Sequence, residues 1–295
     1  MASKSATTDP TTEPAKTIAF QGAAGAYSDL ACRTVYPDMT PLACTSFEDT
    51  FAAVEDGRAS LAMLPIENSE AGRVADIHML LPHTTLHIVG EHFQRVRHCL
   101  LASPQATLAS LKRVYSHVQA LSQCRAAIRA LGLVPVATID TAAAAAEVAE
   151  RGDASEAAIA SELAADLYKL TVLKRDMEDA ERNTTRFVLL ARDAIAPEPD
   201  VPTGQDKRIT SFIFSVRNVP AALYKALGGF ATNGVNMLKV ESYMVDGSFT
   251  STQFYAEIEG HPEQKNVQLA FDELRFISRE VKVLGVYRAD PFREN

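Results

Sequence analysis

Between residues 17 and 193 short apolar runs alternate with amphipathic stretches, and this alternation limits the fold more than any other feature. Apolar runs at 17–21, 42–45, 60–64, 86–97, 113–115, 134–139, 157–160, 172–174 and 187–191 read as strands. The segments 28–36, 47–55, 106–112, 119–131, 142–150 and 161–168 read as helices, and a further helix ends at 78–82. Repeated strand–helix units of this kind predict an α/β fold with mostly parallel sheets. At 194–207 the pattern stops: Pro197, Pro199, Pro202 and Gly204 stand among acidic residues, the composition of a linker. Beyond it the order changes to strand 209–217, helix 220–233, strands 236–245 and 250–259, helix 262–278 and strand 281–287, with Asp246 and Gly247 at the hairpin turn. That is a β-α-β-β-α-β order, the signature of a small ferredoxin-like unit.

Polar residues gather where strands of the first part end. A glycine turn at 22–28 leads from the first strand into a helix. The backbone N–H groups around Gly25, Ala26, Tyr27 and Ser28 can there receive a carboxylate. The G-x-x-G spacing of this turn is neither a dinucleotide fingerprint nor a P-loop. Pro65 stops a strand, and Glu67, Asn68 and Ser69 follow it. Ser116, Gln119 and Gln123 stand at another strand-to-helix junction, and Asp140 and Thr141 cap a further helix. Asn183, Thr184, Thr185 and Arg186 open the last strand before the linker. Polar clusters converging at strand ends outline a cleft. By strand alternation Arg186 points away from Thr185 and Phe187, which leaves it either a substrate contact or a brace behind the cleft.

Composition narrows the partners. The net charge of -8 argues against nucleic acid as a ligand. No apolar run approaches the ~20 residues of a membrane span. Residues 1–16 are polar and lack the pattern of a secretory signal, so they read as a disordered tail on a cytoplasmic protein. Cys32, Cys44, Cys99 and Cys124 form no C-x-x-C pair and read as buried free thiols. The scattered histidines and cysteines lack zinc-ligand spacing, so no metal is expected.

Several separated blocks resemble the prephenate dehydratase family with a C-terminal ACT regulatory domain. They are the turn at 22–28, Leu64 to Ser69 (similar to V-P-I-E-N-S), Ser116 to Cys124 (similar to S-H-P-Q-A-L-x-Q-C), Asp140 to Ala142, and Asn183 to Phe187 (similar to N-x-T-R-F). In the small unit, residues 218–223 are similar to N-x-P-G-A-L and residues 241–243 to E-S-R. The resemblance runs from about residue 17 to 292. It implies a two-lobed catalytic domain like type II periplasmic binding proteins, with one lobe at about 17–95 and 172–193, the other at about 96–171, and an ACT domain at 208–290.

The implied reaction is loss of carbon dioxide and hydroxide from prephenate to give phenylpyruvate, with phenylalanine as feedback inhibitor and a homo-oligomer, dimer or tetramer, as the working form. No metal, nucleotide or redox cofactor is needed. Thr185 matches the catalytic Thr, and Glu67, Asn68, Ser116 and Gln123 complete the polar shell. An apolar, anion-rich pocket is expected to raise the pKa of Glu67, making it the second candidate acid after Thr185. Ser69 and the 25–28 turn are expected to touch substrate, and Asn218, Ala221, Ala222, Leu223, Glu241 and Ser242 to bind phenylalanine. The chain departs from the family pattern at Ala23, Ala24 and Val118, and in the small unit at Ala221, Tyr243 and Met244, which bears on the strength of phenylalanine control. Arogenate, with an amino group in place of the keto group, stays open as the substrate. A two-lobed small-molecule sensor is the alternative outside enzymes.

Overall fold

The computed structural model describes residues 16–180, 182–195, 197–198, 207–217, 219–245 and 248–294. Residues 1–15 of the expected tail, most of the linker, Asn218 and the turn residues Asp246 and Gly247 therefore lie outside the described residues. The chain opens with β1 (Thr17–Gln21), α1 (Tyr27–Val35), β2 (Thr40–Cys44), α2 (Phe47–Glu55), β3 (Leu61–Asn68), β4 (Gly72–Arg73), α3 (Ala75–Leu80) and β5 (His87–Arg95). It crosses to β6 (Cys99–Ala102), β7 (Arg113–His117), α4 (Val118–Gln123), α5 (Arg125–Ala130), β8 (Val134–Thr138), α6 (Thr141–Arg151), β9 (Glu156–Ala160), α7 (Glu162–Tyr168) and β10 (Thr171–Lys174). It returns as β11 (Thr184–Ala191). The last part is β12 (Arg208–Val216), α8 (Ala222–Thr232), β13 (Met237–Val245), β14 (Ser248–Glu259), α9 (Lys265–Ile277), β15 (Ser278–Arg288) and a 3-10 turn at Pro291–Glu294.

Three sheets result. The first has the order β2-β1-β3-β11-β5 with β4 attached to β3, the second β10-β6-β9-β7-β8, and the third β13-β14-β12-β15. The first two are mixed rather than mostly parallel. β1 runs parallel to β2 and β3, and β7 parallel to β8 and β9, as strand–helix–strand units require. β11 enters the first sheet against both β3 and β5, and β6 enters the second against β9 and β10. These are the strands by which the chain passes between sheets, so no helical crossover sets their direction.

Three local expectations change. β10 belongs to the second sheet through β6, and Met177 sits in that sheet's core, so the return to the first sheet falls at Thr184 rather than 172. Residues 106–112 form turns, not a helix. Thr107 and Ser110 bond each other's side chains and backbone, which competes with helical bonding. The helix expected at 119–131 breaks at Cys124, where Asp179 docks and its carboxylate accepts the Ala126 N–H at 3.1 Å.

The third unit has the expected β-α-β-β-α-β order. Phe212 and Phe214 on β12 face α8 and α9, packing with Phe230 and Phe271. The alternate residues Ile209 and Ile213 join Leu284 and Tyr287 against Ile88, Val188 and Leu190 of the first sheet. The two parts thus share one apolar core. β15 lies so close to β5 that a Cβ at Gly285 would fall 1.9 Å from the Ile88 carbonyl oxygen, a contact only glycine permits. Among the described residues no helix is long and apolar enough to cross a membrane.

Candidate active site

A cleft of about 470 Å³ is lined by the start of α1, the end of β3, the start of β11, and the starts of α4 and α6. Pairing of β11 with β3 sets Thr185 opposite Asn68. Asn68 Nδ2 donates to Thr185 Oγ1 at 2.9 Å and to Asn183 Oδ1 at 2.8 Å, while its Oδ1 accepts the N–H groups of Glu70 and Ala71 at 2.9 Å. With every polar atom of the amide engaged, its orientation is fixed. Because Thr185 Oγ1 accepts from Asn68, its own proton is left for a partner in the cleft.

The network continues. Asn183 Nδ2 donates to Gln123 Oε1 at 2.9 Å, and His98 Nε2 donates to the same oxygen at 3.0 Å. His98 Nδ1 meets the Tyr27 hydroxyl at 2.9 Å, and that hydroxyl also lies 2.7 Å from the Arg97 carbonyl oxygen. Burial pushes the His98 pKa down against the opposing effects of Gln123 and Glu178. The ring is therefore neutral at pH 7, with its proton on Nε2, and its Nδ1 competes with the Arg97 carbonyl for the single Tyr27 hydroxyl proton. A continuous set of polar contacts thus joins Thr185, on the last strand of the first sheet, to Tyr27 at the start of α1.

At the other wall α1 starts without a side-chain cap, and among the described residues the N–H groups of Tyr27, Ser28 and Asp29 have no acceptor. They and Arg73, a residue of the same cleft lining, offer donors suited to carboxylates. Gly25 is not among them. Its N–H is taken by Asp29 Oδ2 at 2.8 Å, and its left-handed φ of +90° lets the turn lie against Ala164.

The structure brings Thr185, Asn68, Gln123, Ala26, Tyr27 and Ser28 to the cleft and, besides Gly25, sends four other candidates elsewhere. Ser116 is fully buried on β7 and donates to the Ile159 carbonyl at 2.6 Å. Ser69 donates to the Arg182 carbonyl at 2.9 Å and accepts the Thr184 N–H at 3.0 Å, bracing the loop before β11. Arg186 lies behind the cleft, 2.7 Å from Glu91, 2.8 Å from Glu257 and 3.0 Å from Glu67. Glu67 shares that rear face and also pairs with Lys239. Burial alone would raise its pKa, but Lys239 and Arg186 outweigh burial and hold it below its ordinary value, the reverse of the expected shift. It is not an acid for the cleft. His117 fell inside the polar junction at 116–123 without a role of its own, and the sequence singled out neither His98 nor Arg73. A Leu-rich strand start and a single Arg after Gly72 carry no spacing signal for them.

In the third unit, Ala221, Ala222 and Leu223 border a hollow of about 280 Å³ with Tyr224 and Phe254. Glu241 and Ser242 are not part of it. Glu241 faces His78 at 3.4 Å and Lys239 at 3.5 Å, and the Ser242 carbonyl accepts from Arg73 at 2.9 Å.

Amide, hydroxyl and imidazole groups around unfilled helix N–H groups make a cleft suited to a small anion. The prephenate dehydratase family model matches residues 18–195. A bifunctional N-acyl-homoserine lactone acylase/prephenate dehydratase of Komagataeibacter europaeus is 54% identical over 94% of this chain and 97% of its own. Arogenate dehydratase 2 of Petunia hybrida is 38% identical over 92% of this chain and 72% of its own. The solved prephenate dehydratase of Arthrobacter aurescens in complex with L-Phe superposes with a TM-score of 0.83 at 31% identity, covering 92% of this chain and 90% of its own. This chain belongs to the prephenate dehydratase family, and its chemistry is that of a lyase.

Proposed function

We propose that Thr185 is the group that assists the leaving hydroxyl when prephenate loses carbon dioxide and hydroxide in this cleft. The electron pair of the breaking carbon–carboxylate bond moves into the ring and expels the hydroxyl at the opposite ring position. The dianion becomes the phenylpyruvate monoanion, carbon dioxide and hydroxide. Aromatisation drives the step, so the protein has to orient the substrate and stabilise the departing oxygen. The observation that carries this reading is the bond from Asn68 Nδ2 to Thr185 Oγ1, which polarises the hydroxyl and leaves its proton toward the cleft. Gln123 and Asn183 hold Asn68 in place, and α1 with Arg73 receives carboxylate. The lactone acylase activity in the name of the Komagataeibacter relative calls for an activated nucleophile. Thr185 is bonded to an amide donor rather than to a base, which favours the dehydratase reading.

The third unit has the element order of an ACT domain, and the Arthrobacter relative was solved with L-Phe. On that support this chain is inhibited by phenylalanine. The ligand would sit at Ala221, Ala222 and Leu223, and Glu241 and Ser242 of a second copy would complete the site in a homo-oligomer. The working compartment is the cytoplasm. Phenylpyruvate formation by the purified protein, with and without phenylalanine, tests both statements. Absence of product refutes the enzyme reading, and product without inhibition refutes the regulatory one.

A further inference from the structure

The cleft must hold a dianion, yet one of its walls carries a carboxylate with a free oxygen. Asp140 lines the cleft at the start of α6. Its Oδ1 accepts the N–H groups of Ala142 at 2.7 Å and Ala143 at 2.9 Å, so this oxygen belongs to the helix cap. Its Oδ2 makes no hydrogen bond among the described residues and turns toward the glycine turn before α1. A Cβ built on Gly22 would lie 3.1 Å from it. That turn delivers the unfilled N–H groups of Tyr27 and Ser28. Capping explains one oxygen of Asp140 and leaves the other unexplained, because a serine or asparagine would cap as well without placing negative charge beside an anionic substrate.

Substrate chemistry supplies a reason. With the ring hydroxyl held at Thr185 and the side-chain carboxylate held at the unfilled N–H groups that open α1, as the reading above has them, the substrate side chain lies beside the glycine turn. The atom next to that carboxylate bears the keto oxygen in prephenate and an ammonium in arogenate. Facing the same turn, Asp140 Oδ2 repels the first and pairs with the second. We propose that Asp140 is the specificity-determining residue that reads this substituent, and that it gives the cleft turnover of arogenate alongside prephenate. The proposal rests on the dehydratase reading above.

The test is kcat/KM for both substrates on the native protein and on Asp140→Asn, which keeps the cap and removes the charge. Removal of the carboxylate lowers arogenate kcat/KM tenfold or more and raises that of prephenate, so the arogenate-to-prephenate ratio falls by more than tenfold. A ratio that stays within twofold overturns the proposal, as does a native protein that converts prephenate but not arogenate. A native protein that converts neither substrate instead removes the dehydratase reading. Thermal melting accompanies the kinetics. If Asp140→Asn melts early, Asp140→Ser, which also caps, carries the same ratio measurement.

Discussion

A free Thr hydroxyl is far too weak an acid to protonate a leaving group unaided, so Thr185 depends on its neighbours. Asn68 donates to its oxygen, and Asn183, Gln123 and His98 fix Asn68 in turn. Removal of the hydroxyl in Thr185→Ala is expected to lower kcat by roughly 100- to 10,000-fold, the range for a positioned proton donor, while Thr185→Ser keeps most of the activity. Steady-state phenylpyruvate formation checks this, and equal activity in both variants removes the hydroxyl from the mechanism. His98 adds a pH signature. Its folded pKa is depressed by burial below the ordinary 6.5, so below about pH 6.5 the unfolded chain binds a proton that the folded chain refuses. Stability from this group is complete above that pH and declines as pH falls toward the folded pKa. Melting temperature followed from pH 7.5 to 5.5 is expected to drop for the native protein and to drop less for His98→Gln. At this scale the sequence made Thr185, Asn68 and Gln123 legible, because polar residues at strand ends face clefts. Ser116 and Ser69 have the same signature, and only the carbonyls opposite them, Ile159 and Arg182, show that they brace the chain.

Single elements carry two jobs on two faces. β11 presents Thr185 to the cleft and Arg186 to the rear, where Arg186 and Arg293 together meet Glu91 and Glu257. Strand alternation foretold the direction of Arg186. Its partner Glu257 was out of reach of sequence because it lies in another unit, as does Arg293, which shares its carboxylates. The removal of one partner from such a buried set leaves carboxylates uncompensated. Arg186→Met is therefore expected to cost roughly 3–5 kcal/mol of stability, read by denaturant titration. A loss below about 1 kcal/mol would mean that the network relaxes onto Arg293 alone. α8 offers a change of opposite sign. Ala221, at its N-cap, holds a left-handed φ of 60° that strains any residue with a Cβ. Ala221→Gly is expected to stabilise the protein by about 1 kcal/mol, seen as a raised melting temperature.

At the level of the whole molecule, alternation of strands and helices revealed the α/β architecture and the change of order past 194–207 revealed a second unit. Neither revealed that the two parts share a core. Leu284 and Tyr287 of β15 pack on Ile88 and Leu190, an arrangement set by a sheet edge meeting a sheet edge rather than by any local pattern. The junction also holds charge. Lys239 pairs with Glu67 behind the cleft, and Arg73 of the cleft wall bonds the Ser242 carbonyl of β13. A chain ended at residue 193 would therefore expose Ile88, Val188 and Leu190 and leave Arg186 without Glu257. It is expected to be insoluble or to melt well below the full chain, instead of behaving as an independent catalytic half. Acid is expected to loosen the same junction in the intact protein. The pKa values of Glu67 and Glu257 are held below the ordinary 4.5 by the cations beside them against the opposing effect of burial. Their contribution to stability is present above that value and is lost as pH falls through the folded pKa values. Limited proteolysis of the intact chain at falling pH reads the outcome. Cleavage at 194–207 that releases two soluble pieces at pH 7 would contradict the shared core, whereas resistance at pH 7 that gives way below about pH 4.5 follows from it.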